Sequence, residues 1–174
     1  MIKIAITGPE SSGKTTLARD LAERLDACMA EEYARKYLEE NRLRGIYTMG
    51  DLVEIAQEQY ALNRGRDCEK RVLVCDTEMT VIKIWAADKF GYCPGEITTL
   101  LERQQFDLVF LCRPDMPWEP DPLREDKDRR EFLFKIYAEE LFLNDENFVV
   151  LEGEHEKRMA KAMEMIGALL ENKV

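Results

Sequence analysis

The hydrophobic positions of this chain fall into short runs separated by amphipathic stretches. Ile2-Lys3-Ile4-Ala5-Ile6 is brief and β-branched, and it predicts a strand. Across 14–26, Leu17, Leu21 and Leu25 recur at the spacing of one helix face. Residues 32–43 and 51–64 read as two more helices, the second with Asp51 as its N-cap. Arg71-Val72-Leu73-Val74-Cys75-Asp76 reads as a buried strand ending in an acid, followed by a helix over 78–89. Asp107-Leu108-Val109-Phe110-Leu111-Cys112 is a third strand. The next stretch, 113–123, holds Pro114, Pro117, Pro120 and Pro122 and must be loop. A charged amphipathic helix follows over 125–143, then a strand over 148–151 and a helix over 155–171. A short strand over 28–31 fits before the second helix.

Apolar strands alternating with helices predict an α/β fold: a parallel sheet of about five strands with helices on both faces. The 174 residues, 45% of them apolar, suit a single domain spanning 1–174 with one sizeable core. The Pro-rich stretch is too rigid and too charged at its ends for a linker, and it reads as a lid over about 113–130. No apolar run approaches membrane-spanning length, and residues 1–7 run straight into a functional loop, with no leader expected.

The net charge of −10 argues against a nucleic-acid or membrane-surface binder. The five cysteines (Cys28, Cys68, Cys75, Cys93 and Cys112) form no C-x-x-C pair. They predict neither a zinc cluster nor a disulfide framework, and they suit a reducing cytoplasm. Cys75 and Cys112 sit in apolar runs and read as small core residues.

Gly8-Pro9-Glu10-Ser11-Ser12-Gly13-Lys14-Thr15 matches G-x-x-x-x-G-K-[ST], and it stands where that motif must, between a strand and a helix. Its glycines let the chain curl until successive N–H groups point at phosphate oxygens, and the helix adds the positive end of its dipole. Residues Gly8, Glu10, Ser11, Ser12, Gly13, Lys14, Thr15 and Thr16 are therefore the expected ATP site. Lys14 is to reach the β- and γ-phosphates, and the Thr15 hydroxyl to ligate Mg2+.

Asp76 closes a strand beside this loop, where an acid organises magnesium; the plainer reading is a strand-end aspartate or a helix N-cap. Glu31, Glu32 and Arg35 follow the short strand. A carboxylate there can take the proton of a substrate hydroxyl, although acids also favour exposed helix starts. Arg124, Arg129 and Arg130 follow the Pro-rich loop, with Arg113 at its start. Phosphoryl transfer needs mobile cations of this kind; Arg124 is the one assigned to the lid, and the others stay open. Trp118, in the polar loop, is available to a substrate ring. Trp85 shares an apolar helix face with Val81 and Ile82 and reads as core. His155 reads as a surface residue at a helix start.

Taken in order, G-P-E-S-S-G-K-T-T-L (8–17), E-Y-A-R (32–35), C-D-T (75–77) and P-W-E-x-D-x-L-R (117–124) resemble the ribosylnicotinamide kinase domain of NadR-type proteins. The resemblance spans roughly residues 2 to 151. It implies a P-loop kinase fold that transfers the γ-phosphoryl of ATP to the ribose 5′-hydroxyl of nicotinamide riboside. It further implies that Glu32, Tyr33 and Arg35 line the riboside site and that Asp76 acts near magnesium and the hydroxyl. The loop 113–124 would close with Arg124 near the phosphates. Such proteins usually carry an adenylyltransferase domain ahead of the kinase. This chain begins at the kinase strand, with the expectation that it does not complete dinucleotide synthesis itself. Some relatives place an aromatic residue before the E-Y pair, where Glu31 stands here. Another nucleoside or nucleotide kinase, or a P-loop ATPase or switch, remains the alternative. In the kinase reading, Asp76 or Glu32 deprotonates the acceptor while Lys14, magnesium and Arg124 hold the developing charge.

Overall fold

A computed structural model describes residues 1–41 and 46–172. Its element order is β1 (Ile2–Thr7), α1 (Lys14–Arg24), β2 (Cys28–Ala30), α2 (Tyr33–Glu40), α3 (Met49–Asn63), β3 (Val72–Asp76), α4 (Met79–Phe90), α5 (Gly95–Arg103), β4 (Leu108–Cys112), α6 (Arg130–Leu143), β5 (Phe148–Leu151) and α7 (His155–Asn172). The five strands form one parallel sheet in the order β2-β3-β1-β4-β5.

Alternation along the strands sorts side chains to two buried faces. Ile2, Ile4 and Ile6 of β1 join Leu108, Phe110 and Cys112 of β4 in a core with α1 and α7. Ala5, Val109 and Leu111 face the other way, against Ile84 of α4 and Leu133, Tyr137 and Leu141 of α6. A third cluster packs α2, α3, α4 and α5 together around Leu52, Ile55, Ile82 and Ile97. Both faces are covered, which is why the strands read as near-continuous apolar runs. Among the described residues no helix is long and apolar enough to cross a membrane.

Parallel strands bring their carboxyl ends to one edge, with Ile6 beside Asp76 and Thr7 beside Leu111. The segments leaving that edge are 31–32 after β2, 76–78 after β3, the 8–13 loop after β1, the lid after β4 and the 152–155 turn after β5. The chain therefore converges at the edge where open parallel sheets bind ligands.

Several expectations need correction. Helix α3 is capped by Thr48, whose hydroxyl accepts from the Asp51 amide. Asp51 is the third helical residue and its carboxylate returns the bond to the Thr48 amide. The charged segment 125–129 is not helical; α6 begins at Arg130, because the Glu125 and Asp126 amides are drawn to the Glu10 carboxylate. The short amphipathic α5 was not foreseen. Residues 42–43 of the 32–43 helix lie outside the described residues. Cys28 and Cys68 are joined in a disulfide, against the expectation of unpaired thiols. Cys28 opens β2 and Cys68 precedes β3, the strand beside it, so pairing brings their Cα atoms to 5.9 Å. Cys75 and Cys112 are free and wholly buried, and desolvation pushes their thiols up to about 12 and about 11.

Candidate active site

The loop between β1 and α1 is built by local backbone demands. Gly8 has φ 133°, and a Cβ there would stand 2.6 Å from the Cys112 carbonyl oxygen, so β4 excludes any side chain. Ser11 takes a left-handed φ of 51°, and Gly13 (φ 79°) packs under Met116 of the lid. The Ser12 hydroxyl and the Lys14 ammonium both donate to the Pro9 carbonyl at 2.8 Å. Helix α1 starts at Gly13 with no side-chain cap and no acid in its first turn. Its first amides are left for an anion.

This loop forms one wall of a cavity of about 810 Å3. Gly8, Glu10, Ser11, Ser12, Gly13, Lys14, Thr15, Thr16, Glu32, Arg35 and Arg124, all anticipated from sequence, line it together. Asp76, Tyr33 and Trp118 do not. Tyr33 rests against Tyr37 at 6.1 Å between rings, and its amide donates to Gln59. Trp118 lies under the Arg130 guanidinium at 5.6 Å.

Asp76 does not line the cavity; it is 1% exposed beside Thr15, and neither of its carboxylate oxygens has a hydrogen-bond partner. Desolvation raises its pKa. The nearby Thr15 hydroxyl and the Lys14 and Arg19 charges favour the ionised form without overcoming burial. An orphaned buried carboxylate beside a hydroxyl is a donor set that suits a hard divalent cation. Among the described residues no group of three or more His, Cys, Asp or Glu could hold a metal, so such an ion would draw its other ligands from phosphates and water. Glu32 is half-buried at the N-cap of α2 but caps nothing with its side chain. Burial raises its pKa; Lys14 and Arg35 oppose this and Asp76 reinforces it.

The segment between β4 and α6, the expected lid, borders the cavity and is held there by many polar contacts. The Glu10 carboxylate accepts from the amides of Glu125 (2.9 Å) and Asp126 (3.1 Å), and the Ser11 hydroxyl accepts from the Glu119 amide (3.0 Å). Arg35 of α2 pairs with Asp121 at 3.0 Å, Lys89 of α4 with Glu125 at 2.8 Å, and Arg129 forks onto Asp88 of α4 at 2.5 and 2.8 Å. Arg130 donates to the carbonyls of Ser11 and Met116. Arg124 spends one donor on the Glu119 carbonyl, within the lid itself.

Other lining residues escaped the sequence reading. Trp85 lines the cavity, and its indole N–H donates to the Tyr47 hydroxyl at 2.6 Å with the rings edge-on at 5.0 Å. Trp85 also packs against the α2–α5 cluster, as its apolar helix face predicts; a period-3.6 face does not show that it borders a cavity too. His155 also lines the cavity, its Nε2 2.7 Å from Asp20, so it is no plain surface residue. Arg158, 2% exposed, reaches back from α7 to the phosphate loop. Its charge sits beside the core-facing Met159 and Ala162 of α7, and only the packing of α7 beside α1 shows where it points.

A family model described as an AAA domain matches residues 3–158. The chain is homologous to the trifunctional NAD biosynthesis/regulator protein NadR of Escherichia coli. It is 29% identical to it over 96% of this chain and 42% of that protein. It thus spans less than half the length of the curated relatives it matches. NadR crystal structures in complex with NAD and AMP-PNP and in complex with NR each superpose with TM-score 0.74, at 22% and 24% identity. They cover 94% and 88% of this chain and 49% and 44% of those chains. A deoxyadenosine kinase from M. mycoides superposes with TM-score 0.70 at 16% identity, over 96% of this chain and all of that one. The fold is that of the P-loop kinases.

Proposed function

This chain belongs to the AAA domain family, and we propose that it is an ATP-dependent kinase that phosphorylates the 5′-hydroxyl of nicotinamide riboside, giving nicotinamide mononucleotide. The observation that carries this reading is one cavity lined both by the phosphate loop and by Glu32 with the Tyr47–Trp85 aromatic pair. A phosphate cradle, a carboxylate with a raised pKa and a ring-sized apolar wall are the three parts that a riboside kinase needs. The homology to NadR and the NadR structure solved with NR support the same acceptor.

Glu32 is the base, because it lines the cavity whereas Asp76 does not. Its carboxylate takes the hydroxyl proton as the acceptor oxygen bonds to the γ-phosphorus. The bond from that phosphorus to the β–γ bridging oxygen breaks, and ADP leaves with the electron pair. Lys14 leaves the Pro9 carbonyl to meet the transferring phosphoryl group, and the loop amides hold the β-phosphate. Arg124, tied by one bond within the lid, turns its remaining donors to the developing charge. Thr15 and Asp76 would hold Mg2+, which when bound neutralises phosphate charge. The reading carries a cytoplasmic setting.

A panel of ribosides, nucleosides and nucleotides offered with ATP and followed by ADP release tests this directly. Release that requires nicotinamide riboside, with the mononucleotide as product, is the expected result. Preference for another nucleoside would move the acceptor and keep the chemistry; the Tyr47–Trp85 wall suits other bases, and Glu31 stands where some relatives carry an aromatic. ADP release without any acceptor would overturn the kinase reading.

A further inference from the structure

Arg158 is the largest fully buried side chain of the described residues, and it lies outside the anticipated machinery. Each of its three nitrogens is committed at one junction. Nε donates to the Gly153 carbonyl at 2.8 Å, Nη1 to the Ser12 carbonyl at 2.7 Å and Nη2 to the Arg113 carbonyl at 2.9 Å, and Nη2 also pairs with Asp115. Asp115 in turn accepts from the Gly153 amide at 2.6 Å. One guanidinium thus joins the phosphate loop, the root of the lid and the turn after β5, three segments leaving the sheet side by side.

The contact with Ser12 has a consequence for the loop. In a trans peptide the carbonyl and the following N–H point in opposite directions. Holding the Ser12 carbonyl toward α7 therefore turns the Gly13 amide away from α7. The Ser11 carbonyl is held in the same manner by Arg130, and the Pro9 carbonyl by Lys14 and Ser12. Lys14 is needed elsewhere during the reaction, and Arg130 stands at the first residue of α6, where the lid ends. Arg158, rooted in α7, holds its carbonyl from outside the lid, as the Ser12 hydroxyl holds the Pro9 carbonyl from within the loop.

We propose that Arg158 is a positioning residue that presets the Gly13 amide for the β-phosphate and fixes the hinge of the lid to the phosphate loop. This rests on the reading of residues 8–15 as a nucleotide site. A guanidinium suits the task because its planar fork serves three carbonyls and a carboxylate at once, which an ammonium cannot.

The test compares wild type, Arg158→Lys and Asp115→Asn by equilibrium titration with ADP and with AMP, beside urea unfolding without ligand. Arg158→Lys keeps the charge but not the fork, and ADP affinity is expected to fall about tenfold, the loss of one charge-assisted bond's worth of preorganisation. AMP, which lacks the β-phosphate, should lose less than about twofold by the same bookkeeping. Asp115→Asn, which leaves the arginine in place, should shift the ADP-to-AMP ratio in the same direction by a smaller factor. An unchanged ratio in both variants overturns the inference. So does an equal loss of both nucleotides tracking a lower urea midpoint, since that is the mark of a purely structural role. Failure of the wild type to bind ADP would instead refute the nucleotide site itself.

Discussion

Glu32 and Asp76 have raised pKa values for the same first cause, desolvation, but only Glu32 lines the cavity. Glu32 lines the cavity, so its ionisation should govern the acid limb of turnover. A base works only when deprotonated, so kcat/KM should fall as pH drops through a pKa above the ordinary 4.5 of a glutamate. Glu32→Gln should lower kcat by roughly a hundredfold or more and remove that limb, as read from pH–rate profiles. Asp76 is a buried carboxylate whose desolvation Thr15, Lys14 and Arg19 offset only in part. A carboxylate whose folded pKa is raised favours folding below its unfolded pKa, and that advantage is lost as pH rises through the folded value. At neutral pH the ionised group therefore opposes folding. Asp76→Asn should raise the ligand-free stability by about 1–2 kcal/mol at pH 7, with the gain shrinking in acid. Thermal melts across pH check this, and a destabilised variant would contradict it. The same substitution should depress kinase activity, the usual conflict between a functional site and stability.

The lid shows how an element is held without a core of its own. Leu123 packs against the α2–α5 cluster, and the other contacts with α2, α4 and the phosphate loop are ion pairs and hydrogen bonds, the Arg129 fork onto Asp88 among them. Exposed pairs contribute little singly and are screened by salt. Opening of the lid should therefore need little free energy and become easier at high ionic strength. Arg129→Gln should speed proteolytic cleavage within 113–129 several-fold in the absence of nucleotide and leave global stability within about 0.5–1 kcal/mol. Limited proteolysis with mass-spectrometric mapping reads the first quantity and urea unfolding the second. The Pro-rich composition explains why this segment is neither strand nor helix, and the Glu10 carboxylate explains why the charged run after it stays outside α6.

Across the whole molecule, two apolar layers enclose the sheet and a helical cluster of α2–α5 forms one side of the cavity. The Cys28–Cys68 disulfide ties the edge strand β2, which leads into Glu32, to the segment entering β3. Closing a loop of 40 residues should contribute about 4 kcal/mol in the chain-entropy account. Melting with and without reductant should thus show a lower Tm on reduction. In a reducing cytoplasm the same residues are thiols, and counting free thiols in protein isolated under alkylating conditions distinguishes the two states.

The amino-acid sequence alone determined what depends on neighbours along the chain. The β-branched runs became strands, and the eight residues 8–15 made a phosphate loop. The C-terminal strand positions carried Asp76 and the lid to one edge. These follow from local periodicity and backbone restriction, which a sequence displays directly. Tertiary structure alone decided what depends on distant segments meeting. It made Trp85 a cavity wall as well as a neighbour of the core, and it left Asp76 buried off the cavity that Glu32 lines. It also joined Cys28 to Cys68 and aimed a buried arginine from α7 at the loop after β1. Each of these depends on packing between residues far apart in sequence, such as the 146 positions that separate Ser12 from Arg158, and side-chain direction across such a gap leaves no periodic trace.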